Sequence, residues 1–164
     1  MNQADAHKTA FDRVRLRPVV EPDFPALYEF QADPESARMA VVNPRSRAEF
    51  DTHWRGVLQN PSIIARAITL DDALVGSISR FPRDGLDYVG YWIARSHWGQ
   101  GIASQALKLL LREVTTRPLH ARAASSNLAS IRVLQRRGFV ITGRQFAPAT
   151  DRFPACEETV FVLA

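Results

Sequence analysis

The run from Tyr88 to Ala124 constrains the fold of this sequence more than any other stretch. Tyr88 to Ala94 is β-rich, and Ile102, Ala106, Leu109, Leu110 and Val114 form one helical stripe that ends before Arg117-Pro118. Leu119 to Ala124 then reads as a short buried strand. Two strands joined by a crossing helix lie parallel in one sheet. Between the first strand and the helix stands Trp98-Gly99-Gln100-Gly101, followed by Ile102 and the small residues Ala103 and Ser104. Such a turn presents several backbone N–H groups at the positive end of the helix dipole. Gly99 and Gly101 accept backbone angles closed to other residues, and without side chains they let phosphate oxygens approach the amides. The segment predicts an anion site suited to a pyrophosphate.

A bare Gly-x-Gly is more often only a tight turn, and two other phosphate motifs share its glycines. A dinucleotide fingerprint wants a third glycine where Ser104 stands and an acid about 20 residues on, where the chain has Arg122 and Ala123. A nucleotide P-loop wants Gly-Lys-Ser/Thr after four spacer residues, and the sequence has no such run.

The chain around this unit alternates strand and helix. Val14 to Val20 alternates apolar and basic residues like a half-buried strand, and a helical stretch follows Asp23 with Pro25 in its first turn. Asn43-Pro44 breaks the chain, and Ser46 with Glu49 forms a capping box for a helix running to about Leu58. Ser62 to Thr69 and Leu74 to Phe81 read as a hairpin turned at Asp71-Asp72. After Ala124, Asn127 is placed to cap a helix carrying Leu128, Ile131 and Leu134, with Gly138 as its left-handed stop and Phe139 as the apolar contact beyond. Val140 to Phe146 and Glu157 to Leu163 close the chain as strands.

With 164 residues, 46% apolar and 23% charged, the sequence predicts one globular domain over residues 11–164 behind a flexible tail, residues 1–10. That tail has neither the apolar core of a signal peptide nor an Arg-rich amphipathic pattern, and no apolar run is long enough to span a bilayer. Cys156 stands alone, which excludes an internal disulfide and points to a reducing, cytoplasmic setting without membrane association. The net charge of +4 comes almost wholly from arginines scattered through every segment, not from the single basic patch of a DNA reader. His53, His97 and His120 have no metal-ligand spacing, so no metal is expected.

In this order and spacing the motifs resemble the GNAT superfamily of N-acetyltransferases, and within it the branch of ribosomal-protein-alanine N-acetyltransferases. Trp98 to Ala103 matches the family's pyrophosphate motif, Gln/Arg-x-x-Gly-x-Gly/Ala, with Trp98 in the first slot. Asn127-x-x-Ser130 leading to Arg136-Arg137-Gly138-Phe139 is similar to the second conserved block. Gly90-Tyr91-Trp92, Leu16-Arg17-Pro18, Asp23 and Asp33-Pro34 resemble the branch. The resemblance implies an α/β (α+β) fold: a mixed, mostly antiparallel sheet of about seven strands with about four flanking helices. Its parallel fourth and fifth strands splay into a V that takes acetyl-CoA as cosubstrate.

The same resemblance implies residue roles. Amides of Gly99, Gln100, Gly101, Ala103 and Ser104, within the Trp98–Ser104 segment that includes Ile102, would hold the pyrophosphate. Pantetheine would pair with backbone at Ile93 and Arg95, Asn127 would bind its arm, and Arg132 or Arg136 would meet the 3′-phosphate. The Ile93 N–H would polarise the thioester carbonyl. Leu134 stands where many members have a tyrosine that protonates the thiolate, leaving Ser130 as candidate acid. Tyr88 stands where the branch often has a glutamate base, and a phenol titrating near ~10 is a poor base at neutral pH. The implied reaction is direct acetyl transfer to a primary amine, a protein N-terminus or a small molecule. The missing glutamate and tyrosine leave two alternatives, a non-catalytic CoA-binding module and a ribosome- or RNA-associated protein. A homodimer is compatible with the sequence but not selected by it.

Overall fold

The computed structural model describes residues 13–164; the expected N-terminal tail lies outside them. The chain runs β1 (Val14–Pro18), α1 (Phe24–Ala32), α2 (Pro34–Ala40), α3 (Arg47–Gln59), β2 (Ile64–Leu70), β3 (Ala73–Arg83) and β4 (Leu86–Ile93). It continues with α4 (Ile102–Glu113), β5 (Leu119–Ala124), α5 (Leu128–Arg136), β6 (Val140–Ala147) and β7 (Cys156–Leu163). The seven strands form one sheet in the order β1-β2-β3-β4-β5-β7-β6, antiparallel throughout except at β4–β5.

Local chemistry explains most boundaries. Ser46 Oγ accepts from Glu49 N at 3.2 Å and the Glu49 carboxylate accepts from Ser46 N at 2.9 Å, the reciprocal capping box expected for α3. Asp71 and Asp72 both adopt positive φ at the β2–β3 hairpin, as a two-residue type I′ turn demands. The family resemblance implies about four helices, and the described residues hold five α-helices. The additional one is α2, a seven-residue helix with Pro34 at its start and the Asp33 carboxylate accepting from Ser36 N at 2.9 Å. Seven residues give too short an apolar period to stand out from the loop around them.

Helices cover both faces of the sheet. On one, Ile102, Ala106, Leu107 and Leu110 of α4 and Leu134 of α5 pack against Val14, Ile78, Val89, Leu119, Ala121 and Phe161. On the other, Phe24 and Leu27 of α1 and Phe50 of α3 cover Ala65 and Ala67 of β2. Leu107 and Leu110 have no exposed surface, and each such burial contributes about 1.5–3 kcal/mol. The first layer spans β4 and β5 through Val89, Leu119 and Ala121, and the candidate site lies where these two strands part.

Candidate active site

Strands β4 and β5 meet in register at a single pair, Tyr88 with His120. Beyond it they diverge, and a cavity of about 410 Å³ opens beside them. Its walls are the end of β4 (Tyr91, Trp92, Ile93), the turn into α4 (Gly99, Gly101 to Ser104), α5 (Asn127, Ser130, Arg132, Arg136) and α2 (Ser36, Met39, Ala40).

Backbone alternation decides what β4 presents to this space. Ala94 N donates to Val75 O at 2.8 Å, and Ile93 sits opposite Gly76. Hydrogen-bonded and non-bonded pairs alternate along an antiparallel ladder. The N–H and C=O of Ile93 and Tyr91 therefore point away from β3, toward the side where β5 has diverged. The Ile93 carbonyl accepts from Trp98 Nε1 at 3.0 Å, which pins the turn to the strand.

The glycine turn has the geometry of an anion cradle. Gly99 and Gly101 have φ of 75° and 76°, in the left-handed region where a side chain costs roughly 1–2 kcal/mol. No side chain caps α4, and its first i→i−4 bond runs from Gln105 N to Gly101 O. The amides of Ile102, Ala103 and Ser104 thus have no partner within the helix. Ser104 is 3% exposed, and its hydroxyl accepts from Arg137 Nε at 3.0 Å, tying the start of α4 to the end of α5. Arg137 is a residue the sequence reading missed; its only signal was adjacency to Arg136 in the Arg-Arg-Gly-Phe run.

On the facing wall Asn127 caps α5, its Oδ1 accepting from Ser130 N at 3.2 Å. Ser130 meets a partner that the sequence did not reveal. Tyr91 Oη lies 2.8 Å from Ser130 Oγ and 3.2 Å from the Ser130 carbonyl. Burial pushes the Tyr91 phenol up to about 12, the Ser130 bond opposing only part of that rise. Leu134, at the position where many members have tyrosine, is 1% exposed and lies in the core.

Other predicted residues fall at the margin. Tyr88 is 4% exposed and is not a wall of the cavity. Its ring stacks on Phe81, lies under the Arg122 guanidinium, and its hydroxyl accepts from Arg122 Nη2 at 2.9 Å. Arg95 and Gln100 are exposed and outside the lining. The Arg95 guanidinium is 3.0 Å from Asp33, so it braces the N-terminus of α2. Arg132 and Arg136, one turn apart on α5, both line the cavity. His97 lines it too, with its Nδ1 2.9 Å from Ser96 Oγ. Glu157 lies 3.9 Å from Arg144, and Glu158 accepts from Gln145 at 3.2 Å on the β6–β7 hairpin. Burial and the neighbouring Glu158 raise the Cys156 thiol, the reverse of nucleophilic activation. Among the described residues no cluster of three metal-binding side chains occurs and no helix is long and apolar enough to cross a membrane.

Comparison with known proteins agrees with this architecture. The probable N-acetyltransferase YjcK of Bacillus subtilis is 34% identical over 113 residues, 64% of this chain and 58% of that protein. The ribosomal-protein-serine acetyltransferase of Escherichia coli is 36% identical over 80 residues, 44% of this chain and 45% of that protein. The chain thus spans about half the length of these curated relatives. Among solved structures, RimL, a ribosomal L7/L12 alpha-N-protein acetyltransferase in complex with coenzyme A, superposes with a TM-score of 0.75. The superposition covers 92% of this chain and 93% of that one, at 22% identity, a likeness of fold. Residues 13–140 match the acetyltransferase (GNAT) domain, and the chain belongs to that family.

Proposed function

We propose that this protein is an acetyl-CoA-dependent N-acetyltransferase acting on a primary amine by direct attack in a ternary complex. The observation that carries the reading is the cleft itself. A parallel strand pair joined at one position opens between an uncapped helix N-terminus and a tyrosine–serine pair. Acetyl-CoA supplies the activated acyl group and a thiol leaving group.

The residues present fit that cosubstrate. The free amides of Ile102, Ala103 and Ser104, with Gly99 and Gly101 shaping the turn, suit a pyrophosphate. Arg132 and Arg136 suit the 3′-phosphate, and Asn127, with its oxygen committed to the cap, keeps its amide NH₂ for the pantetheine arm. The Ile93 N–H, directed into the cleft, serves as donor to the thioester carbonyl, where a fixed dipole stabilises developing negative charge. Ser130 is the acid: its hydroxyl gives a proton to the departing thiolate and regains one from solvent, while Tyr91 Oη, which donates to the Ser130 carbonyl, holds that hydroxyl in place at 2.8 Å. Among the described residues no carboxylate lines the cavity, so the amine loses its proton to solvent or through a water at His97.

The acceptor is a protein N-terminus or a small amine, and the relatives that act on ribosomal proteins support the first. The test is thiol release from acetyl-CoA with a panel of N-terminal peptides and small amines. Release that depends on the amine and exceeds one equivalent per protein supports transfer. CoA binding without release for any amine would make the protein a CoA-holding module instead.

A further inference from the structure

Two loops that line no wall of the cavity meet beside α2. Asn43 N donates to Arg152 O at 2.8 Å, Asn43 Nδ2 donates to Asp151 O at 3.1 Å, and the Arg152 guanidinium donates to Asn43 O. The 150–153 turn is closed on itself, with Thr150 N donating to Phe153 O at 2.8 Å and Phe153 N donating to Thr150 Oγ1 at 3.0 Å. The clasp fixes the β6–β7 loop against the segment joining α2 to α3, in which Arg45 stands two residues beyond Asn43. Ala40, a wall of the cavity, is five residues before Arg45, which places the two Cα atoms within about 18 Å.

Several half-buried or partly exposed arginines find partners in the fold: Arg17 with Asp23, Arg66 with Glu113, Arg95 with Asp33, and Arg122 and Arg137 with the hydroxyls of Tyr88 and Ser104. Arg45 and Arg152 are both half-buried, and neither has an ion pair among the described residues. Glu49 acts on Arg45 electrostatically, but its carboxylate is engaged at the α3 cap. Burial draws the Arg152 guanidinium down to about 10 with Arg45 adding to the fall. His53, two turns along α3 from Ser46, is held below its ordinary value by desolvation and then by Arg45 and Arg152. Arg152 is met by the Asn43 carbonyl and the Phe153 ring, neither of which carries charge, and two half-buried like charges on clasped loops are costly unless an anion joins them.

We propose that Arg45 and Arg152 recognise an anionic group, carboxylate or phosphate, carried by the acceptor amine at the end remote from its nitrogen. The inference rests on the acetyltransferase reading. It assigns the acceptor class as an amine with an acidic distal group, held at the clasp while its nitrogen reaches the thioester.

The test has two arms. In the first, inorganic phosphate is titrated into protein already saturated with CoA, and the unfolding midpoint is followed. Phosphate raises the midpoint of the native protein, and Arg45→Gln and Arg152→Gln lose that rise. In the second, kcat/KM is measured for primary amines that share a reactive end and differ distally in carboxylate, phosphate monoester or neutral amide. The native protein favours one of the anionic amines by on the order of tenfold or more, and in Arg45→Gln this ratio collapses through KM. Among the described residues Arg45 holds no hydrogen bond, so that variant carries the test if Arg152→Gln, which breaks the clasp, does not fold. A phosphate response that survives in Arg45→Gln, or equal use of anionic and neutral amines by the native protein, overturns the anion site and leaves the acetyltransferase reading standing. Failure to bind CoA at all and to acetylate any amine overturns both.

Discussion

The phenol of Tyr91 and the hydroxyl of Ser130 lie 2.8 Å apart across the cleft, one on β4 and the other on the first turn of α5. The phenol also donates to the Ser130 carbonyl at 3.2 Å, so β4 and α5 are tied together on the cavity wall. Because burial keeps the phenol protonated, it holds the serine by a neutral hydrogen bond.

From this pairing we expect Ser130→Ala and Tyr91→Phe each to lower kcat, Ser130→Ala by on the order of 10²-fold, while CoA affinity stays nearly intact. The double variant should cost little more than Ser130→Ala alone, since residues acting as one unit are not additive. Additive losses in a double-mutant cycle would show that Tyr91 acts separately.

Gly101→Val should abolish the rise in melting temperature that CoA produces, because the positive φ at 101 and the approach to the α4 amides both exclude a branched side chain. Linkage sets the native rise at about 2.7 kcal/mol for a hundredfold excess over Kd. Gly99→Ala separates the two effects. A Cβ there would meet nothing within 4 Å, so the expected loss is backbone strain of roughly 1–2 kcal/mol, read as a lower midpoint in the absence of CoA.

These two sites mark how far the sequence could be read. The glycine turn, the Asn127 cap and the parallel crossover were legible because each is a local rule acting within a few residues. Tyr91–Ser130 and Ser104–Arg137 were not, since each joins residues more than thirty positions apart and depends on how far β4 and β5 diverge. Tyr88 shows the same limit: its place in the chain suggested the base position, yet aromatic packing with Phe81 and His120 decides where its ring goes. The α2 wall was hidden for a different reason, its brevity.

Asp23 supplies a pH dependence of stability. It accepts two bonds from Arg17 at 2.7 and 2.8 Å and one from Val20 N at 3.0 Å, and the Arg17 bonds above all hold its carboxyl below the usual range. A depressed value in the fold contributes stability that is fully present above the unfolded value of about 3.9 and is lost as pH falls through the folded one. Asp23→Ala should therefore cost about 1–3 kcal/mol near pH 7. The gap between the denaturation midpoints of native and variant proteins should close below about pH 4. A gap that stays constant into acid would mean the carboxylate's charge is not what the fold uses.

Before it attacks, the acceptor amine must lose a proton. No carboxylate lines the cavity among the described residues, and His97 is the imidazole there. Without a dedicated base, kcat/KM should climb with pH and level off at the acceptor's own pKa, shifting when a less basic acceptor is used. Tyr88→Phe should leave this profile unchanged and lower stability, because the hydroxyl serves Arg122 and not the cleft. Tyr88→Glu should not speed the reaction either. Its carboxylate would lie beside Arg122 and His120, whose Nε and Nε2 are buried without partners among the described residues, and that setting favours the charged form and weakens it as a base. The competing account gives the role to His97 through a water, and it predicts an inflection fixed across acceptors that His97→Gln removes. Profiles for two acceptors of different basicity, measured on the native protein and on His97→Gln, decide between them.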